Sequence, residues 1–429
     1  MMRIVLSVFL TVCILASAAA AGVADYLEIE AKARAKRVGN LFKNWDEVSD
    51  NLGMLGLTAR VYPVSIMELS VVTEYTAYRH NSSLSNLLYQ FNATAVPTSQ
   101  DSRFTMYFTG GYKGNSYKDI EAETGASKND FSSKNYNATV SMGYDISPTL
   151  RARLGYTVKV TAYPDIKDTV LVPALMNDTE WVMIPLEVLV PMVPDRHDHE
   201  LSIGANASFL DQTSFDLEVG YRFGQHSHMV DWWWRIPLGQ PYSINRIGRD
   251  TAYTSQIESN LQWYYVSPRI SRAMGDRTGI SCTYHYRKFL DPCEHSYVFG
   301  STTGLISPWA SVYEGDGVQL SFKTYLIKGL TISGSWGYWE KTFLTTLEAI
   351  NPMTGELDAD LTTNSIKEGR GDRDDIERRL NLTVLLPITT HTDLYMEPSL
   401  ILDYSNNHST IAVYDYTDFT ITTEFKIKF

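Results

Sequence analysis

The chain has 429 residues, a formal net charge of -12 at pH 7 and a sequence pI near 5.3. This acidic surplus excludes a protein that binds nucleic acid through phosphate contacts, because such contacts need an excess of lysine and arginine. Hydrophobic residues make up 44% of the chain although the mean hydropathy is only -0.19, a combination typical of strands with one apolar and one polar face.

Residues 1–21 have the three regions of a secretory signal peptide. Arg3 precedes an apolar run over residues 4–15, and small residues occupy positions 16–21. We therefore predict export and cleavage near Ala21. An exported protein can form disulfides, so Cys282 and Cys293 are predicted either to pair or to remain two free thiols.

Residues 22–65 differ in pattern from the rest of the chain. Alanine, lysine and arginine dominate residues 31–36, and Leu41, Phe42 and Trp45 recur at helical spacing. We predict a short helical segment here. It would fill a barrel as a plug, dock in the periplasm or remain disordered.

From residue 66 onward the hydrophobic period changes to two, as residues 150–162 show. Apolar side chains, including Leu154 and Tyr156, fall on one face, whereas Arg151, Arg153 and Lys159 fall on the other. This segment exceeds the five or six residues usual in globular sheets and is close to the roughly 9–11 that a tilted membrane strand needs. The pattern predicts a strand between lipid and a wet lumen.

Similar segments recur about fourteen times between residues 66 and 429. We place them near 66–79, 85–97, 102–113, 134–147, 149–162, 199–211, 213–225, 251–266, 278–289, 316–327, 329–341, 377–388, 391–404 and 416–429. Short connectors alternate with long ones near 114–133, 163–198, 226–250, 290–315 and 342–376, as in an up-and-down barrel. Adding residues 54–62 and 296–303 gives an alternative of sixteen strands. We favour an all-β antiparallel transmembrane barrel of fourteen, with 54–62 in the N-terminal segment.

The last strand, residues 419–429, alternates Phe419, Ile421, Phe425, Ile427 and Phe429 with polar side chains. It resembles the C-terminal signature of bacterial outer-membrane β-barrel proteins. That resemblance implies an outer-membrane location, outer-membrane lipid around the barrel, and recognition of the Phe429 strand by the barrel-assembly machinery. Closure is expected because unpaired backbone groups cost several kcal/mol in lipid.

The layout of an N-terminal hatch before fourteen strands is similar to that of fatty-acid-transporter-class channels. The resemblance covers layout and length, and the Asn-Pro-Ala hatch motif of that class does not occur near the mature N-terminus. We therefore expect a porin-like channel or transporter for small solutes, with no nucleic-acid partner.

Alternation assigns a mixed set of charges to the lumen, where they would tune ion selectivity. The predicted pore-lining residues are Arg151, Arg153, Lys159, Asp216, Glu218, Arg222, Glu258, Glu424, Lys426 and Lys428. The alternative function is a non-conducting envelope or surface barrel whose loops bind partners. A third alternative is a lipid hydrolase with residues at the rim, although no catalytic motif stands out and we predict no enzyme, cofactor or metal site.

Two connectors are unusually apolar, at residues 170–194 and 232–238, and are expected to pack as a lid, to constrict the mouth or to capture an apolar ligand. The pairs His197/His199 and His226/His228 have the alternate spacing of metal ligands. Polar residues at the membrane rim explain them equally well.

Overall fold

A computed structural model of the chain shows a closed antiparallel β-barrel. It describes residues 27–41, 48–98, 102–115, 118–120, 127–130, 133–162, 166–176, 180–190, 196–210, 212–226, 230–231, 254–255, 260–291, 313–346, 372–389, 395–410 and 415–428. Its wall strands are β1 Leu27–Val38, β2 Asp50–Val64, β3 Met67–Tyr78, β4 Asn86–Ala95, β5 Phe104–Asn115, β6 Ser133–Ser147, β7 Leu150–Ala162, β8 Arg196–Leu210, β9 Thr213–His226, β10 Asn260–Met274, β11 Thr278–Asp291, β12 Tyr313–Tyr325, β13 Thr331–Thr346, β14 Asp372–Leu385, β15 Tyr395–Ser409 and β16 Tyr416–Lys428.

The wall has sixteen strands, each paired with both of its neighbours in sequence. The ring closes where β1 pairs with β16, in a register that runs from Glu30 opposite Lys428 to Val38 opposite Thr420. A two-residue strand, Ile388–Thr389, adds a short pairing to β15. Every edge within the membrane is thereby satisfied by a neighbour, as a lipid environment requires.

The preferred count of fourteen strands is therefore wrong, and sixteen is correct. The two additional strands are β1 and β2, so residues 54–62 belong to the barrel wall. The segment 296–303, which entered the sixteen-strand alternative, lies outside the described residues.

The helical prediction for residues 22–65 is also wrong over the part that the structure describes. Alanine favours helix intrinsically, but Leu27, Ile29 and Ala31 alternate with Glu28 and Glu30, and this period of two matches a strand. Pairing with β2 on one side and β16 on the other outweighs the local propensity. The segment supplies wall strands in place of a helical plug.

The two ends of the barrel differ in the length of their connectors. The turn end carries the start of β1, the end of β16 and short connectors such as residues 65–66, 148–149, 211–212 and 275–277. The loop end carries the long connectors 116–132, 163–195, 227–259, 292–312 and 347–371. Alternation of short and long connectors, predicted from the sequence, is confirmed.

The outer face of the wall is apolar and exposed. Leu154 on β7 is 45% exposed and Ile203 on β8 is 61% exposed, and the two lie opposite each other in the ladder. Large apolar side chains on the other strands, such as Leu55, Phe91, Trp336 and Phe425, point the same way. A cylinder with this surface needs an apolar solvent around it.

Some smaller elements complete the described chain. The apolar connector after β7 forms an antiparallel hairpin of Ile166–Met176 and Glu180–Val190, whereas residues 232–238 lie outside the described residues. Helical structure is limited there to two 3-10 turns, Ser82–Leu84 and Ile327–Gly329. None of the described helices is long and apolar enough to cross a membrane.

Candidate functional site: the barrel lumen

The inner face of the wall is polar, and the strand register defines it. Arg153 on β7 lies opposite Gly204 on β8, which lies opposite Glu218 on β9, which lies opposite Ser267 on β10. These residues alternate with the exposed apolar residues of the same strands. Lipid-facing and lumen-facing side chains therefore separate by a period of two around the barrel.

Nine of the ten predicted pore-lining residues lie on this inner face. They are Arg151, Arg153, Lys159, Asp216, Glu218, Arg222, Glu424, Lys426 and Lys428. The tenth, Glu258, lies outside the described residues.

Ion pairs on the inner face reach across an intervening strand where that strand carries glycine. Arg153 Nη2 lies 2.7 Å and 2.8 Å from the two carboxylate oxygens of Asp216, two strands away. A Cβ atom on Gly204, between them, would lie 3.2 Å from the Arg153 guanidinium. Two further contacts cross a glycine in this way: the ion pair of Lys32 with Glu74 over Gly56, and the hydrogen bond from Arg151 to Thr105 over Gly143.

Tyr265 on β10 links two carboxylates in the same way. Its hydroxyl lies 2.8 Å from Glu200 Oε1 on β8 and 2.9 Å from Glu218 Oε1 on β9. The ring lies over Gly220, where any Cβ would clash with it. The phenol hydroxyl has a single proton to donate, so the two carboxylates share one donor.

A buried aspartate organises the loop end of β8 and β9. Asp198, which is 2% exposed, accepts bonds from Arg196 Nε at 2.8 Å and Arg222 Nη2 at 3.1 Å. Both guanidinium groups lie over the Trp263 ring, with carbon-to-centroid distances of 6.0 Å and 5.2 Å. Each of the two guanidinium groups therefore has both a carboxylate and an aromatic partner.

A second ionic cluster lies on β13 and β14. Glu377, 2% exposed, bonds Lys341 and accepts from Arg379 Nε at 2.5 Å. Arg379 lies 5.4 Å from the centre of the Trp339 ring. This cluster stabilises the wall, because a buried carboxylate needs partners such as Lys341 and Arg379 to offset its loss of hydration.

The inner face of β15 and β16 is buried toward the loop end. Asn407 and Thr420 are each 2% exposed, Thr422 is 5% exposed and Glu424 is 6% exposed. Glu424 bonds Arg34 of β1 and lies 3.2 Å from Lys426. Of the predicted pore-lining residues, Glu424 therefore joins the two ends of the wall rather than facing open water.

The inner face of β5 to β12 presents exposed cations. Lys113, Lys159, Arg269 and Lys323 are exposed there, and Arg287 is half-buried beside the Tyr313 ring at 4.6 Å. Within the described residues none of these five forms an ion pair, because Asp198, opposite Lys159, and Asp216, opposite Arg269, are bonded to other arginines. We name Lys113, Lys159, Arg269, Arg287 and Lys323 the cation wall.

A cavity of about 720 Å³ lies against the inner face of β8 to β14. Its lining includes the Glu200–Tyr265–Glu218 bridge, two members of the cation wall and both tryptophans: Glu200, Glu218, Arg222, Trp263, Tyr265, Arg269, His285, Arg287, Gln319, Trp339, Lys341, Glu377 and Arg379. The space is walled by charges of both signs and by hydrogen-bonding groups, so it suits a hydrated polar solute.

Several of these residues were missed by the sequence patterns. The strand expected at 251–266 spans Asn260–Met274. Because the predicted strand ended at residue 266, Arg269 was not assigned to the lumen. Pro268 lies inside this strand, where the backbone loses a ladder hydrogen bond, but the register between β10 and β11 is the same on both sides of it. Alternation read through the proline would have found Tyr265, Ser267 and Arg269 on one face.

The other candidate residues do not join the lumen. His197 and His199 alternate with the inward Asp198 and so point outward, and His199 bonds Tyr156 at 2.9 Å. Cys282 also points outward, next to Leu320 in the ladder. Cys293 and the His228 position lie outside the described residues, so the disulfide prediction stays a prediction.

The closed sixteen-strand wall, its apolar exposed surface and its polar interior are those of a bacterial outer-membrane β-barrel protein. No protein-family model matches the sequence, and no characterised protein matches it in a sequence comparison. Among solved structures, the chain is similar to CdiB from Acinetobacter baumannii, with 10% identity, 94% of this chain covered and a TM-score of 0.46, and it spans 60% of that chain. It is similar to OprD from Pseudomonas aeruginosa, with 9% identity, 94% of this chain and 95% of that chain covered, and a TM-score of 0.42. A third similar structure is OccAB1 from Acinetobacter baumannii, with 8% identity, 94% and 96% covered and a TM-score of 0.42.

Proposed function

We propose that the chain is an outer-membrane channel that passes small hydrophilic solutes through a mixed-charge lumen. The observation that carries this proposal is the cavity of about 720 Å³ against the inner face of β8 to β14, lined by charged and hydrogen-bonding side chains. Such a lining can replace part of the hydration shell of a solute, which makes entry favourable. The chain would act without a cofactor and without catalysis.

The orientation of the channel follows from its two ends. Barrels of this class have short periplasmic turns and long external loops, so the turn end would face the periplasm. Export by the signal peptide and recognition of the Phe429 strand by the barrel-assembly machinery are part of the same proposal. Both rest on residues outside the described part of the chain.

The predicted pore-lining residues divide into two roles in this proposal. Lys159 is exposed, and Arg153 and Asp216 are partly exposed, with side chains 41% and 27% accessible. These would meet the solute. Glu424 and its partner Lys426 would stabilise the closure of the wall.

Conductance of the purified protein in planar bilayers tests the channel. We expect stepwise currents and uptake of small sugars or amino acids by liposomes that contain the protein. Proteoliposomes with correctly folded barrel, shown by its heat-dependent migration, that give neither current nor uptake would contradict the proposal.

The alternative is a non-conducting barrel whose loops bind partners. The burial of the inner face of β15 and β16 toward the loop end favours it, because a filled interior leaves no room for water next to the wall. A folded protein without conductance that retains its long loops on the cell surface would support this alternative over the channel.

A further inference from the structure

We propose that the lumen selects anions, although the chain carries a formal net charge of -12. This inference rests on the proposed channel function and names the class of solute that the channel favours. It depends on which charges are exposed and unpaired on the inner face, not on their total number.

The cation wall supplies exposed positive charge along the path. Lys113 stands between Gln90 and Asn135 in the ladder, so neutral amides flank it. Arg269 donates only a 3.4 Å bond to the Ser281 hydroxyl, and Lys323 lies 4.9 Å from the Tyr325 ring. None of these contacts neutralises the cation, so its field reaches the solution in the lumen.

The carboxylates of the same strands are held by partners. Asp198 is buried between two arginines, and Asp216 forms an ion pair with Arg153. Glu200 and Glu218 share the Tyr265 hydroxyl as a hydrogen-bond donor. A carboxylate that already accepts such bonds attracts a mobile cation less strongly. The net exposed charge on β5 to β12 is therefore positive.

The inward carboxylates of β14 and β16 add little exposed negative charge. The carboxylates of β14 and β16 are buried and bonded to cations or to backbone N–H groups, as with Glu377, Glu424 and Asp418. Of the cations that line the cavity, Arg269 and Arg287 are the two without an ion pair to a described residue.

The reversal potential of the full-length channel in a KCl gradient measures this selection. We expect a chloride-to-potassium permeability ratio above one. Replacing three members of the cation wall together, Lys113→Gln, Arg269→Gln and Lys323→Gln, should lower the ratio roughly twofold or more while current persists.

A matched control removes one arginine and two lysines from the outer face in place of the inner face. Arg37, Lys134 and Lys288 are exposed and alternate with inward residues, and the triple variant Arg37→Gln, Lys134→Gln, Lys288→Gln should keep the wild-type ratio. A wild-type ratio below one overturns the inference and leaves the channel intact. An equal shift in both triple variants also overturns it. A folded barrel without current removes the channel, and the inference with it.

Discussion

Arg153 bonds both carboxylate oxygens of Asp216, although one whole strand lies between the two residues. The guanidinium passes over Gly204, which offers no side chain in its way. Lys32 and Glu74 meet over Gly56 in the same manner. Glycines on the inner face thus determine which charges pair, and thereby which remain for the solute.

A side chain at Gly204 should break the Arg153 pair. The variant Gly204→Val would place its Cβ atom 3.2 Å from Arg153 Nε and 3.1 Å from the Leu217 carbonyl oxygen, with two methyl groups beyond it. Overpacking of this kind costs about 1–3 kcal/mol. Guanidinium-induced unfolding of the barrel in lipid vesicles should show a free energy of unfolding lower by that amount.

Gly53→Val is the matched control for this measurement. A Cβ atom at Gly53 meets nothing within 4 Å, and the residue points outward, so valine should be tolerated or should stabilise the strand slightly. Equal destabilisation by the two variants would contradict the crossing role of Gly204.

Loss of Glu424 should weaken the closure of the barrel. Glu424→Gln leaves Arg34 without its carboxylate at the seam between β1 and β16. Breaking a largely buried pair costs about 3 kcal/mol, and the folded barrel should lose its heat-resistant migration at a lower temperature. Glu68→Gln, at a side chain that is 40% exposed, should change the transition little. Identical transitions for both variants would show that the seam does not depend on this pair.

Much of the fold follows from alternation alone, but the start of the barrel does not. The strands β3, β7 and β16 fall close to their predicted positions because turn residues and a clear period of two bound them. In β1, alanines supply the outward face, and alanine carries a helical propensity that masks the alternation. Pairing with β2 and with β16, which is distant in sequence, makes this segment a strand despite that propensity.

The sequence predicts which face of each strand lines the lumen, but it does not predict which charged residues on that face pair with each other. Alternation placed Arg153 and Asp216 inward, yet their bond depends on the register of three strands and on Gly204. A slip of one residue would move each side chain to the other face. The cation wall could not be foreseen for the same reason, since an unpaired charge is recognised only when its neighbours are known.

Removing the Tyr265 hydroxyl should change both stability and selectivity. Tyr265→Phe deprives Glu200 and Glu218 of their shared donor, which costs about 1–2 kcal/mol for a lost bond to charged groups. The freed carboxylates should also lower the chloride-to-potassium permeability ratio. Tyr107→Phe, at an inward tyrosine 39% exposed, should leave both quantities near their wild-type values, and a matching loss there would contradict the bridge.

Two threonines on the inner face should differ in their access to water. Thr283 lines the cavity, whereas Thr422 on β16 is only 5% exposed. In a background in which the native cysteines are replaced by serine, Thr283→Cys should react with a membrane-impermeant maleimide and its labelling should reduce the current. Thr422→Cys should react only after unfolding, because the inner face of β16 is buried at this residue. Similar labelling rates at both positions in the folded barrel would show that water reaches Thr422 and would contradict the burial of the inner face at β16.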